Sequence, residues 1–180
     1  MILSDFDLEN AIRHKRLVVK PFDKRIIKEN GLDLRLEDDI AYHKELGSNF
    51  ILDPSDKKKI DACFRYLRKQ KSMVLRPHEQ VLLSTYEYIK MPDDAIGFVE
   101  LRSTWGRHGL SMPPTIIDAG FEGNITLEVV NNAPYSIMLK PKLRFAHIIF
   151  AKTSNRVKKT YSGLYMRQRG IRFPHAEKVD

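Results

Sequence analysis

The strongest constraint on this chain is its rhythm. Short β-prone runs return about every ten residues, and a turn signal closes each one. Leu17-Val18-Val19 stops at Pro21. Leu32-Asp33-Leu34-Arg35-Leu36 follows the Asn30-Gly31 turn and alternates strictly, which predicts a half-buried strand. Further runs are Met73-Val74-Leu75, Val81–Thr85 continuing extended to Ile89, and Ile96–Leu101 after the turn Met91-Pro92-Asp93-Asp94. Thr115-Ile116-Ile117, Ile125–Val130, Ile137-Met138-Leu139 and Phe145–Ala151 complete the set, with Pro134 and Lys140-Pro141-Lys142 between the last of them. This pattern predicts an all-β sandwich or barrel.

Only two helices are expected. Ser4 is placed to cap a short one, with Asp5 and Asp7 in its first turn and Leu8, Ala11 and Ile12 on one face. Ser103 to His108 predicts one or two turns more. Residues 43–72 look least structured: Asp53-Pro54-Ser55-Asp56 is a turn, and Lys57 to Lys71 is either a basic amphipathic helix through Ile60, Phe64 and Leu67 or a charged loop. The tail from Asn155 lacks periodicity.

At 180 residues the chain is most simply one domain. Its longest apolar run is far short of a membrane span. The acidic N-terminus is not that of a secretory signal, and the single cysteine, Cys63, fits a reducing cytoplasm. The net charge of +8 is unevenly spread. Residues 55–76 and 152–180 are each net +6, so the remainder is net −4. The surplus belongs to an insertion-like segment and a tail, where it is either a solvated face or an attractor of polyanions.

The chemistry concentrates in residues 99–131. Arg102, Ser103, Thr104 and Arg107 put guanidiniums and hydroxyls where a helix begins, a combination suited to phosphate. Asp118 opens a glycine-punctuated turn, as turn chemistry or as acceptor for a sugar hydroxyl. In Ile125-Thr126-Leu127-Glu128-Val129-Val130 the alternation sets Glu128 on one face with Thr126 and Val130. That face is either wet, or it desolvates the carboxyl and raises its pKa, which makes a general base or acid. Arg107 is a candidate partner for it.

A zinc deaminase needs His or Cys with a Pro-Cys-x-x-Cys pair, which one cysteine cannot supply. There is no His-Glu-x-x-His, Walker loop or GxGxxG. Hydrolysis would therefore rest on water activated by a side chain, most simply Glu128. A Mg²⁺ carried on substrate phosphates needs few protein ligands.

Three blocks now stand in a known order. Leu101 to Leu110, Pro113 to Gly123 and Ile125 to Val129 resemble the dCTP deaminases of the trimeric dUTPase superfamily, in particular the archaeal-type branch. The similarity begins at Met1-Ile2-Leu3-Ser4-Asp5. It runs through Asn30 to Arg35 and Tyr88 to Pro92 to Tyr165 and Gln168, omitting about 43–72. The resemblance implies a mainly β subunit, a distorted barrel or jelly-roll-like dUTPase-type fold with one or two short helices. It implies one domain over 1–180, with a variable charged insertion at 43–72 and a flexible basic lid at 155–180.

It also implies a homotrimer with active sites between subunits, and zinc-independent deamination of dCTP to dUTP, on the way to dUMP and dTTP. Glu128 would move protons from water to the pyrimidine N3 and the leaving amine. Ser103 and Arg107 would hold the water and the carboxylate, helped by the backbone carbonyl of Thr115 or of a neighbour. Arg102, Ser103 and Thr104 would contact phosphates, and Mg²⁺ would come with the nucleotide. Ile117 and Asp118 would meet the sugar, Thr126, Leu127 and Glu128 the base, and Tyr161, Tyr165 and Gln168 the triphosphate. His147 stands among the substrate residues where many relatives carry Gln. Leu164 stands where a Lys is common before the tail tyrosine, so one phosphate contact is either lost or replaced by Arg167 or Arg169. Two other readings stay open: an enzyme that also, or only, hydrolyses dUTP, and a basic nucleic-acid-binding or structural module. Against the last, the basic run 57–71 lacks the interleaved aromatics of a stacking platform.

Overall fold

The computed structural model describes residues 1–178. Two five-stranded antiparallel sheets carry the fold. The first runs in the order Thr115–Ile117, Ala95–Leu101, Arg144–Lys152, Gly31–Arg35, Ile27–Lys28. The second runs Leu110–Ser111, Thr126–Asn131, Gln80–Ser84, Ile40–His43, Phe64–Leu67. A three-stranded sheet (Val18–Lys20, Tyr88–Lys90, Glu122–Gly123) and the pair Ile137–Leu139 with Met73–Leu75 close the ends. Leu32, Leu34, Val99, Ile148 and Phe150 from the first sheet and Val81, Leu83, Leu127 and Val129 from the second share one apolar core. Their alternation along each strand is what makes one face of each sheet apolar.

The first helix, Asp5–Arg13, forms as its sequence dictates. The Ser4 hydroxyl accepts from the Asp7 N–H, the Asp7 carboxylate accepts from the Ser4 N–H, and Leu8 and Ala11 are buried. Helix Ser103–Arg107 also lies where expected, but its N-cap is Arg102 and no side chain caps it. A third helix, Lys57–Ala62, exceeds the one or two expected. Asp56 caps it through the Lys58 and Lys59 N–H groups. Among the described residues, no helix is long and apolar enough to cross a membrane.

Two expectations need correction. The helix reading of Lys57 to Lys71 holds only to Ala62; Phe64–Leu67 is an edge strand paired with Ile40–His43. The β-prone Phe64 and Tyr66 face a partner strand twenty residues upstream, which local periodicity does not reveal. Asp33 is not on a wet face. It is 3% exposed, because Arg102, Arg144 and His147 cover that side of the strand.

Candidate active site

A cleft of about 470 Å³ opens on one face of the second sheet. Antiparallel pairing sets Glu128 opposite Leu82, Leu82 opposite Ala41, and Thr126 opposite Ser84. Paired residues project to the same side. Glu128, Thr126, Gln80, Leu82 and His43 therefore share the face, and all five line the cleft. Leu127 and Val129 turn the other way into the core. The Glu128 carboxyl is half-buried and held above its ordinary value by loss of water, offset only by its own backbone N–H. Burial likewise pushes the His43 imidazole down.

The opposite wall comes from the segment after strand Thr115–Ile117. The Asp118 carbonyl accepts from the Phe121 N–H at 3.1 Å, and the Gly120 N–H donates to the Pro92 carbonyl at 3.0 Å. Gly120 has φ +82°, and a Cβ there would lie 2.5 Å from Thr160 Cβ, so only glycine admits both the turn and the tail that crosses it. Ile117 and Asp118 face the cleft from this turn, with Phe121 beneath.

The tail completes the walls. The Tyr161 N–H donates to the Ala119 carbonyl at 2.9 Å, and Arg167 N–H to the Glu122 carbonyl at 2.5 Å. Gln168 pairs with Gly123 as a parallel bridge and is 4% exposed; its Nε2 donates to the Asn124 carbonyl at 2.5 Å. The Arg172 N–H donates to Thr126 Oγ1 at 3.1 Å, which brings this arginine beside the Glu128 strand.

Of the residues singled out in the sequence, Thr115, Ile117, Asp118, Thr126, Glu128, Tyr161, Tyr165 and Gln168 come together around this cleft. The others do not. Ser103, Thr104 and Arg107 are exposed on their helix, away from the cleft, and no charge from Arg107 contributes at Glu128. The Arg102 side chain reaches Asp33 instead, and His147 Nδ1 sits 3.0 Å from the same carboxylate. Leu127 is a core residue. One chain thus separates the cleft that holds Glu128 and Asp118 from the surface that holds Ser103, Thr104 and Arg107.

A profile of the dCTP deaminase-like family matches residues 2–153. The chain belongs to the dCTP deaminase-like family. It is similar to the dCTP deaminase of Pyrobaculum arsenaticum, 46% identical over 174 residues covering 97% of this chain and 96% of that one. It is also similar to the dCTP deaminase of Saccharolobus solfataricus, 41% identical over 174 residues covering 97% and 91%. Among solved structures it resembles the 2′-deoxycytidine 5′-triphosphate deaminase from Agrobacterium tumefaciens, with a TM-score of 0.64. That match is 21% identical over 83% of this chain and 46% of the longer one, so it speaks for the fold alone.

In this dCTP deaminase-like chain the sequence reading missed several cleft residues. His43 and Phe64 belong to the segment taken for a charged insertion, and Arg172 and Pro174 lie in the tail beyond Gln168. Only the β-prone Phe64-Arg65-Tyr66 alternation could have signalled the first two. Phe64 is not an open stacking surface: Phe173 lies on it at 4.6 Å between ring centroids, 14° from parallel. Among the described residues, no three His, Cys, Asp or Glu side chains gather as metal ligands.

Proposed function

We propose that the chain hydrolyses dCTP to dUTP and ammonia, with Glu128 moving the protons. The observation that carries this reading is Glu128 itself: a carboxyl on a rigid strand, in a cleft wall, raised by burial and without a cationic partner. Such a group is a better base near neutral pH than a solvated carboxylate. Water forms a bond to C4 of the cytosine ring while its proton passes through Glu128 to N3. The remaining hydroxyl proton then passes through Glu128 to the exocyclic amine. The C4–N4 bond breaks, ammonia leaves, and C4 keeps a carbonyl.

The reading gives Ile117 and Asp118 to the sugar, Thr126 to the base, and Tyr161, Tyr165 and Gln168 to the phosphate side. Arg102, Ser103, Thr104 and Arg107 would enter the cleft of a neighbouring copy in a homotrimer. The exposure of Ser103, Thr104 and Arg107 on a surface apart from their own cleft, with Arg102 part-buried beside them, supports that division. Zinc independence is supported by the single cysteine and the scattered His, Asp and Glu residues. Among the described residues no His, Cys, Asp or Glu cluster forms a cage for Mg²⁺, and the reading carries the ion on the substrate phosphates.

One observation favours a second reading. Asp118 lines the same cleft as Glu128, so a second carboxylate is at hand to position water for hydrolysis of dUTP to dUMP and diphosphate. Incubation with dCTP and Mg²⁺, following ammonia and resolving the nucleotides, separates the cases. Ammonia with accumulating dUTP supports deamination alone, and ammonia with dUMP supports both steps. No turnover of either nucleotide, with salt-sensitive DNA binding, would replace both readings.

A further inference from the structure

Away from the cleft, one buried carboxylate gathers three basic side chains. Asp33 lies on strand Gly31–Arg35, directly opposite His147 on strand Arg144–Lys152. Its Oδ1 is 3.0 Å from His147 Nδ1 and 3.2 Å from Arg102 Nε. Its Oδ2 is 3.6 Å from the Arg144 guanidinium, beyond hydrogen-bond reach, and has no other partner. Gly31 leaves room for the imidazole, since a Cβ there would run into the His147 ring.

Arg102 is therefore held from two sides. Its Nε faces Asp33, and its NH1 donates to the Arg144 carbonyl at 3.2 Å. That same carbonyl accepts from Trp105 Nε1 at 2.9 Å, which ties the following helix to the same point. Among the described residues no partner takes the third guanidinium nitrogen, NH2. A free arginine must give up several torsional freedoms to meet an anion, and a guanidinium already fixed gives up less. The carboxylate also offsets the repulsion that Arg102 and Arg144 would feel so close together.

We infer that Asp33 is a positioning residue for anion binding: it orients the Arg102 guanidinium so that its open edge meets the phosphate chain of a nucleoside triphosphate. The inference rests on the reading that Arg102 contacts phosphate, and it adds a residue that touches no ligand itself. His147, the other partner of Asp33 Oδ1, steadies the carboxylate. The effect belongs to binding, so it acts on KM and leaves kcat nearly alone.

The test is a double-mutant cycle on the full chain, with Asp33→Asn, Arg102→Ala and the two combined. Binding of dCTP and of inorganic tripolyphosphate is read by calorimetry, turnover by ammonia release, and folding by thermal melting. Asp33→Asn should weaken both ligands by about tenfold or more, the order of coupling between close charge pairs, with KM rising and kcat within about twofold. In the Arg102→Ala background the same change should cost almost nothing, because the residue it orients is gone.

Should Asp33→Asn melt early, Arg102→Lys asks the same question, since it keeps the charge and loses the Nε that faces Asp33. It should bind tripolyphosphate about tenfold more weakly. Equal losses from Asp33→Asn with and without Arg102, wild-type affinity in Arg102→Lys, or no tripolyphosphate binding to the wild type would each overturn the inference. If the wild type released no ammonia from dCTP, the deaminase reading would fail, while the tripolyphosphate cycle would still decide the role of Asp33.

Discussion

Glu128 is the residue on which the chemistry turns. Glu128→Gln keeps the shape and cannot accept a proton. General acid–base catalysis is worth roughly 10²–10⁴ in rate, and a group used on both water and leaving amine should reach the top of that range. Affinity for dCTP should survive. The same substitution reads the electrostatics. The folded pKa of Glu128 is raised above 4.5 because burial favours the protonated form. Its contribution to stability is therefore complete below the unfolded value and lost as pH rises through the raised one. Glu128→Gln should melt above the wild type at neutral pH and level with it in acid. A variant that melted lower at neutral pH, or deaminated at the wild-type rate, would remove Glu128 from this role. The residue was legible from alternation alone, since Leu127 and Val129 had to face the core. Its desolvation was not, because His43, Leu82 and the tail that crowd it come from distant parts of the chain.

The elements differ in how far local sequence foretold them. Asp5–Arg13 and the central strands follow from a capping box and from period-two alternation. The tail does not. It read as a lid with few apolar anchors, yet Ile171 is 6% exposed, in a second cluster with Ala41, Ile60, Cys63, Phe64 and Leu82. The Glu177 N–H also donates to the Pro54 carbonyl at 2.9 Å. The insertion and the tail thus complete each other, so truncation after Arg156 should uncover that cluster. Ile171→Ala should cost about 2–4 kcal/mol of local stability, the usual range for a buried aliphatic truncation. Hydrogen exchange should show the loss in residues 40–67 and leave Thr126–Asn131 protected. Unchanged exchange in 40–67 would mean that the tail does not hold this segment.

As a whole, the molecule carries its charge asymmetrically. The two +6 segments, some eighty residues apart, pack together through Phe64, Phe173 and Ile171 beside the cleft. A field of one sign concentrated there draws anionic ligands toward it. The separation of the Ser103–Arg107 helix from the Glu128 cleft makes a prediction about assembly. If sites form between copies, light scattering should give about three times 21.0 kDa at working concentrations. A monomer at all of them would end the shared-site model, whatever the activity.

The order of residues was enough to specify strands, turns, the first helix, the side of the sheet on which Glu128 stands, and the family likeness. Each of these rests on neighbours within a few positions, where alternation, caps and glycine or proline act directly. Folding alone decided that Asp33 is buried beneath Arg102, Arg144 and His147, that Phe64–Leu67 is a strand, and that the tail roofs the insertion. Those outcomes depend on contacts between residues dozens of positions apart, such as Asp33 with His147 or Phe64 with Phe173. Such contacts are set by which surfaces must be buried together once the sheets have formed; local pattern offers at most the β-propensity of Phe64 and Tyr66 and does not name their partners.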